Sequence, residues 1–283
     1  MTTPHGFAGL RVAAFESRMA EEMRRLIERY GGHPLVAPSM QEVPLEDHRE
    51  VLQFGERLLA GHVDMVILLT GIGTRVMLNV LLTRYSLEQT SGALTRTVLV
   101  VRGPKPAAVL REVGLAPSVH VPEPNTWRDI LEAVDRERPV AGLRVAVQEY
   151  GVINTELIEG LRGRGAQVSR VPVYRWTLPD DLTPLENVLE AILDGRVDVL
   201  LVTNAVQMDH ARQVLAQPSR QEQFRRALDK LVVASIGPTA TERLRRDGFP
   251  VDLEPAHPKM GILVKEAAER AGRILQDKRA RVT

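Results

Sequence analysis

The strongest constraint on the fold is that the chain repeats itself. GLRVAAFESRMAEEMRRLIERYGGHPLVAPSMQEVP, Gly9 to Pro44, returns as GLRVAVQEYGVINTELIEGLRGRGAQVSRVPVYRWTLP, Gly142 to Pro179. LAGHVDMVILLTG, from Leu59, returns as LDGRVDVLLVTNA, from Leu193. Each then runs into a glycine-proline stretch, so that Gly103, Pro104, Leu110, Arg111 and Gly114 recur at Gly237, Pro238, Leu244, Arg245 and Gly248. The order is A-B-A′-B′, and the fold must be built from two sets of similar parts.

Within each part, short and nearly continuous apolar runs alternate with stretches of helical period. Met65–Leu69, Val98–Val101, Val199–Val202 and Leu231–Ala234 suit parallel strands covered on both faces, while Met19–Tyr30 and Leu185–Leu193 carry the spacing of helices. The class is α/β. One A plus one B supplies five strands, enough for an open, doubly wound sheet of the flavodoxin type with order 2-1-3-4-5. With 283 residues, 44% of them apolar, there is material for two such cores. Periodicity alone allows tandem domains, A with B and A′ with B′, as readily as an interleaved pairing. The joints fall at Ala37–Glu46 and Val171–Asp181, where prolines stop helices and favour extended chain.

Such sheets bind ligands beyond the carboxyl ends of their strands, and two similar lobes can form a cleft from two such edges. The turns at Arg102–Ala107 and Ile236–Thr241 would supply one wall element each, with glycine at the strand end and proline in the first turn of the next helix. LLTGIGTRVML, Leu68 to Leu78, has Gly71-x-Gly73 between a strand and a helix, but lacks the third glycine of a dinucleotide fingerprint and any Walker lysine. It reads as a tight turn or as a loop whose backbone N–H groups hold an anion.

Lys and Arg number 37 against 36 Asp and Glu, which gives no bulk attraction to nucleic acid or to a membrane surface. The absence of cysteine removes disulfides, thiolate nucleophiles and thiolate metal sites. None of the seven histidines forms a metal-binding pair, and no Gly-x-Ser-x-Gly elbow occurs. The acidic pairs Glu46–Asp47 and Asp180–Asp181 fall where helices should start and read as caps. The first residues lack the charged start and apolar run of a targeting segment, so a soluble, cytoplasmic protein is expected. Tyr174, in VPVYRW, would be partly buried at an interdomain crossover, with a phenol that stays protonated at neutral pH and can donate a hydrogen bond or a proton.

The ordered set of segments resembles the uroporphyrinogen-III synthase family. The residues that carry the likeness are GLRVAAFE with LIERYGGHPLVAPSM, VDVLLVTNAVQ (Val197 to Gln207), IGPTATERLRRDGFPVDLEP, VPVYRW and HPKMGILVKEA (His257 to Ala267). The resemblance implies two flavodoxin-like domains joined by a two-stranded crossover ladder, the second inserted in the first. Residues 1–39 and 175–283 would form domain 1, and residues 40–174 domain 2. It further implies a cofactor-independent, metal-free hydro-lyase, a monomer whose partner is one small substrate. That substrate is hydroxymethylbilane, a linear tetrapyrrole with eight carboxylates, which the enzyme closes with loss of water and inversion of the last pyrrole.

Carried over by position, Tyr174 is the catalytic candidate, assisting loss of the hydroxyl. Thr203, Gly237 and Thr239 match substrate-binding turns; Asn204 departs from the family's second hydroxyl but stays polar. Ala240 replaces a threonine common in relatives, with Thr241 beside it, and Phe15–Glu16 stand where relatives show Thr-Arg, although Arg18 follows shortly. In the other lobe Thr70, Gly71, Arg102, Gly103, Lys105 and Tyr150 occupy the corresponding edge as carboxylate-binding candidates. Two rival readings share the architecture: a two-lobed protein that binds or senses a small ligand, and a nucleotide-sugar transferase, which the missing phosphate fingerprint disfavours.

Overall fold

The computed structural model describes residues 6–45, 47–149, 151 and 153–282. Along the chain run β1 (Arg11–Ala14), α1 (Ala20–Arg29), β2 (His33–Val36), β3 (Gln41–Pro44), α2 (Arg49–Leu59) and β4 (Met65–Leu68). There follow α3 (Gly71–Leu82), α4 (Leu87–Thr95), β5 (Val98–Val101), α5 (Pro104–Glu112), β6 (Val119–His120), α6 (Trp127–Glu137) and β7 (Arg144–Gln148). Next come α7 (Thr155–Gly163), β8 (Gln167–Val171), β9 (Tyr174–Thr177), α8 (Thr183–Leu193) and β10 (Val199–Val202). The chain closes with α9 (Val206–Leu215), α10 (Pro218–Leu228), β11 (Val232–Ser235), α11 (Pro238–Arg246) and α12 (Met260–Val282).

These elements form two compact units, Met1–Gln41 with Thr177–Thr283, and Glu42–Trp176. The first unit has the sheet order β11-β10-β1-β2, all parallel, and a parallel bridge from Ala234 to Leu253 continues it past β11. The second has the order β6-β5-β4-β7-β8, also all parallel. Counted from β7, that order is the same 2-1-3-4-5 layout entered at its third strand. Part A therefore pairs with B′ and part B with A′, and β3 and β9 pair as a separate two-stranded sheet where the chain passes between units.

The continuous apolar runs follow from burial on both faces. In β10, Val199 and Leu201 join the cluster with Met23, Ile27 and Leu263, while Leu200 and Val202 join Leu185, Met208 and Phe224. In β4, Met65 and Ile67 join Ile130 and Leu157, and Val66 and Leu68 join Phe54, Met77 and Leu110. Each such side chain contributes about 1.5–3 kcal/mol by leaving water.

The repeat also fastens each sheet at its amino edge. Arg11 donates from its backbone N and Nε to Asp198 Oδ2 (2.9 and 3.0 Å) and from Nη2 to Asp198 Oδ1 and the Gly195 carbonyl (3.2 and 3.4 Å). Arg144 repeats every contact with Asp64 Oδ2 (2.8 and 2.8 Å), Asp64 Oδ1 (2.6 Å) and the Gly61 carbonyl (2.8 Å). GLR and G-x-V-D are thus the two halves of one clasp, closed A to B′ and A′ to B. The Arg144 side chain and then its backbone N–H hold the Asp64 carboxyl down at about 2. Burial pushes Asp198 up, but the Arg11 hydrogen bonds with the Arg11 and Arg279 charges outweigh it, and its pKa is lowered.

Candidate functional site

In the second unit the carboxyl edge is built from the ends of β4, β5 and β7. Thr70 caps α3, its Oγ1 accepting the Gly73 N–H at 3.0 Å, while the Thr74 hydroxyl donates to the Thr70 carbonyl at 2.8 Å. The N–H groups of Leu69 and Thr70 both donate to Gln148 Oε1 at 3.2 Å, and Gln148 Nε2 donates to the Glu149 carbonyl. The two glycines of GIG serve this packing. A Cβ on Gly73 would lie 2.0 Å from Gln148 Nε2, and one on Gly71 would lie 3.0 Å from the Lys105 carbonyl oxygen. The loop holds a glutamine and a neighbouring helix start at close quarters, and its Leu69 and Thr70 N–H groups are committed internally.

Gly103 caps α5 with Pro104 in the first turn, leaving Lys105 exposed at the helix start and Arg102 half-buried at the strand end. Thr70, Gly71, Arg102, Gly103 and Lys105 therefore share one edge. Tyr150 lies outside the described residues. Tyr174 is 5% exposed, belongs to the same hydrophobic cluster as Phe54 and Val171, and meets Trp176 edge-on at 5.6 Å and 86°. Gly151, at φ +89°, backs onto both rings; a Cβ there would lie 2.3 Å from Trp176 and 3.0 Å from Tyr174. The phenol ring is thereby placed beside the loop that follows β7.

The first unit carries the equivalent edge at the ends of β1, β10 and β11. Thr203 N–H and Asn204 N–H donate to Gln207 Oε1 at 3.0 and 3.2 Å, and Asn204 Oδ1 accepts the Val206 N–H at 3.0 Å. The Thr203 hydroxyl donates to Glu16 Oε2 and accepts from Gln207 Nε2, which also donates to the Phe15 carbonyl. Ser39 donates to the same Phe15 carbonyl, and buried His210 donates from Nδ1 to the Ser39 carbonyl at 2.7 Å. Gly237 caps α11, where a Cβ would lie 2.8 Å from Pro258 Cβ, and Thr239 is exposed at the helix start. Ala240 and Thr241 are both buried, so the Thr241 hydroxyl points inward and offers nothing at the edge.

Alignment of the repeats reveals an exchange that motif reading missed. Position 207 corresponds to 73, and position 15 to 148. In one unit a glutamine on the helix (Gln207) meets the backbone of a phenylalanine just past β1 (Phe15); in the other a glutamine at the end of β7 (Gln148) faces a glycine on the helix (Gly73). The amide satisfies the strand-end N–H pair in both. Of the described residues in the acidic pairs read as caps, Asp47 accepts the Arg49 N–H at 2.8 Å and Asp181 that of Thr183 at 2.9 Å, each from the residue before the N-cap, whereas Asp180 accepts from Gln41 Nε2 at 3.0 Å and caps nothing.

Two doubly wound sheets, one interrupting the other, each with a polar edge at the strand carboxyl ends, define a two-unit α/β protein of the ligand-binding kind. The chain belongs to the uroporphyrinogen-III synthase family, whose HemD model (HEM4) matches residues 21–265. A putative uroporphyrinogen-III synthase of Methanothermobacter thermautotrophicus is 30% identical over 82% of this chain and 87% of that protein. YjjA of Bacillus subtilis, which carries no described activity in its name, is 25% identical over 93% of this chain and 97% of its own. Among solved structures, a mutant uroporphyrinogen III synthase of Thermus thermophilus matches with TM-score 0.70 and 25% identity, covering 94% of this chain and all of that one. The wild-type Thermus enzyme in another crystal form gives 0.54 and 27% over 94% of this chain.

Among the described residues no group of three or more His, Cys, Asp or Glu is placed to hold a metal ion. Among the described residues no helix is long and apolar enough to cross a membrane.

Proposed function

We propose that the protein is the lyase of tetrapyrrole biosynthesis that turns hydroxymethylbilane into uroporphyrinogen III, working in the cytoplasm without a cofactor. The observation that carries this reading is the family match over residues 21–265, which reaches into both units and covers the polar edge of the second and the β10 and β11 ends of the first. The chemistry suits what the edges offer. Released in water, the substrate cation closes without inversion, so the enzyme's task is to hold the chain ends and keep water out, which needs placed donors and apolar walls more than a nucleophile.

In this reading Tyr174 gives a proton to the departing hydroxyl, its ring fixed by Trp176 and Gly151. Arg102, Lys105, Thr70, Gly71, Gly103 and Tyr150 receive substrate carboxylates at one edge, and Thr203, Asn204, Gly237 and Thr239 line the other. Charge-assisted hydrogen bonds of this kind contribute about 1.5–3 kcal/mol each before ordering costs. Because the Thr203 hydroxyl and the N–H groups of Thr203 and Asn204 are already bonded, their part is to shape the edge, while exposed Thr239 and the start of α11 are better placed to meet an anion. We assign residues 1–39 with 175–283 and residues 40–174 to its two domains.

The test is to generate hydroxymethylbilane in place and separate the products. The type III isomer in excess is expected; type I alone, formed at the uncatalysed rate, would overturn the assignment.

A further inference from the structure

The repeat aligns Glu16 with Glu149, each just past the carboxyl end of the strand that leads its part A. The two acids have different surroundings. Glu149 is buried and accepts from Arg170 Nε and Nη2 at 2.5 and 2.9 Å, and this carboxylate raises the Arg170 pKa further, so the charge on Glu149 is met inside the unit. Glu16 is half-buried, and its partners among the described residues are neutral donors, the Thr203 hydroxyl on Oε2 and the Met19 N–H at 3.1 Å on Oε1. One edge thus holds an acid already cancelled, together with exposed Lys105. The other holds a carboxylate, held by two neutral donors, that makes no ion pair among the described residues.

A bare carboxylate repels a polyanion, so it has no use as a site for substrate carboxylates. A linear tetrapyrrole also presents pyrrole N–H groups, and the reaction makes one of them cationic. When the hydroxymethyl C–O bond breaks, its electron pair leaves on oxygen, which takes a proton and departs as water. The pyrrole nitrogen's lone pair then forms the new exocyclic double bond system, leaving one positive charge centred on an N–H. Ring closure returns an electron pair to that carbon, and the positive charge leaves as a proton.

We propose that Glu16 is the counter-charge for this azafulvene cation, accepting a hydrogen bond from its N–H. The assignment rests on the synthase reading above. Thr203 and the Met19 N–H hold the carboxylate in place, so it need not reorganise as charge develops, which is the condition under which such a group lowers a barrier.

Glu16→Gln keeps an oxygen to accept from Thr203 and removes the charge. Its kcat should fall by about 100-fold, the size seen when one preorganised electrostatic partner is removed, with KM unchanged or lower and little change in Tm. Glu16→Asp, which keeps the charge on a shorter arm, should retain more kcat than Glu16→Gln. A wild-type kcat in Glu16→Gln, or a lower kcat in Glu16→Asp than in Glu16→Gln, overturns the proposal. If Glu16→Gln does not fold, Thr203→Val and Thr203→Ser decide: loosening the carboxylate in Thr203→Val should lower kcat by about tenfold at little change in Tm, and Thr203→Ser, which restores the hydroxyl, should recover it, whereas a wild-type kcat in Thr203→Val overturns the proposal. A wild-type protein that makes only type I product fails the synthase reading itself, a result separate from any of these.

Discussion

Gly151 shows how one residue can set the position of a functional ring. Its φ of +89° lies in the region that favours glycine, and the space a Cβ would need is filled by Trp176 and Tyr174. Gly151→Ala should therefore cost about 1–3 kcal/mol in stability and displace the phenol, lowering both Tm and turnover; a variant with wild-type Tm and kcat would show that the loop yields freely. Tyr174→Phe separates the two effects because it removes only the hydroxyl from a ring that stays packed. Turnover should drop by about 100-fold, within the range for a general acid, while thermal unfolding shifts by no more than a few degrees. Equal losses in both would assign Tyr174 to packing. Its position in the crossover was legible in VPVYRW, but Gly151 was not singled out, because a glycine in a loop carries no mark of what presses against it.

At the scale of elements, the duplicated clasp fixes where the central strands begin. Asp64 has a folded pKa of about 2, against an ordinary value of 3.8. A lowered acid pKa favours the folded state above the ordinary value, and the contribution fades as pH falls from there through the folded one. Because Arg144 and Asp64 are both about a third exposed, solvent screening keeps the effect near ~1 kcal/mol. Wild type should therefore lose stability between about pH 4 and 2 more steeply than Asp64→Asn, as read from urea midpoints across that window; parallel curves would remove the clasp from the ledger of acid stability. The glutamine exchange gives a second test. Gly73→Gln should collide with Gln148, and adding Gln148→Phe, which copies the arrangement of Gln207 and Phe15, should recover part of the loss. A double variant no better than the sum of its singles would show that the two edges are not interchangeable. Strands such as β4 and β10 could be read from sequence since burial on both faces leaves an apolar run. Gln148 and Gln207 could not, because the same amide is supplied from non-equivalent positions, and a search for a repeated residue passes over it. Thr70 and Thr203 were legible as strand-end polar residues, yet what their N–H groups bond depends on those glutamines.

For the whole molecule, the repeat specified the parts and left their pairing open. Arg11 could close on Asp64 as well as on Asp198 by motif alone, and both choices yield five parallel strands. The structure closes A on B′ through β1 and β10, and B on A′ through β4 and β7. What decides between them is long-range packing: Phe7, Val12 and Met23 share a cluster with Leu263 and Ala267 near the other end of the chain, a correspondence that no local pattern announces. The interleaved pairing has a consequence that the tandem one forbids. Residues 42–176 are contiguous, contain all five strands of their sheet and carry a hydrophobic cluster on each face, with a length typical of independent domains. Expressed alone, this segment should give a cooperative thermal transition and dispersed amide signals in an NMR spectrum. The tandem half, residues 1–141, should not, since β1 and β2 would lack β10 and β11, and β4, β5 and β6 would lack β7 and β8. A cooperative fold in residues 1–141 with none in 42–176 would mean that the chain can pair its repeats the other way, and that the observed order depends on the intact molecule.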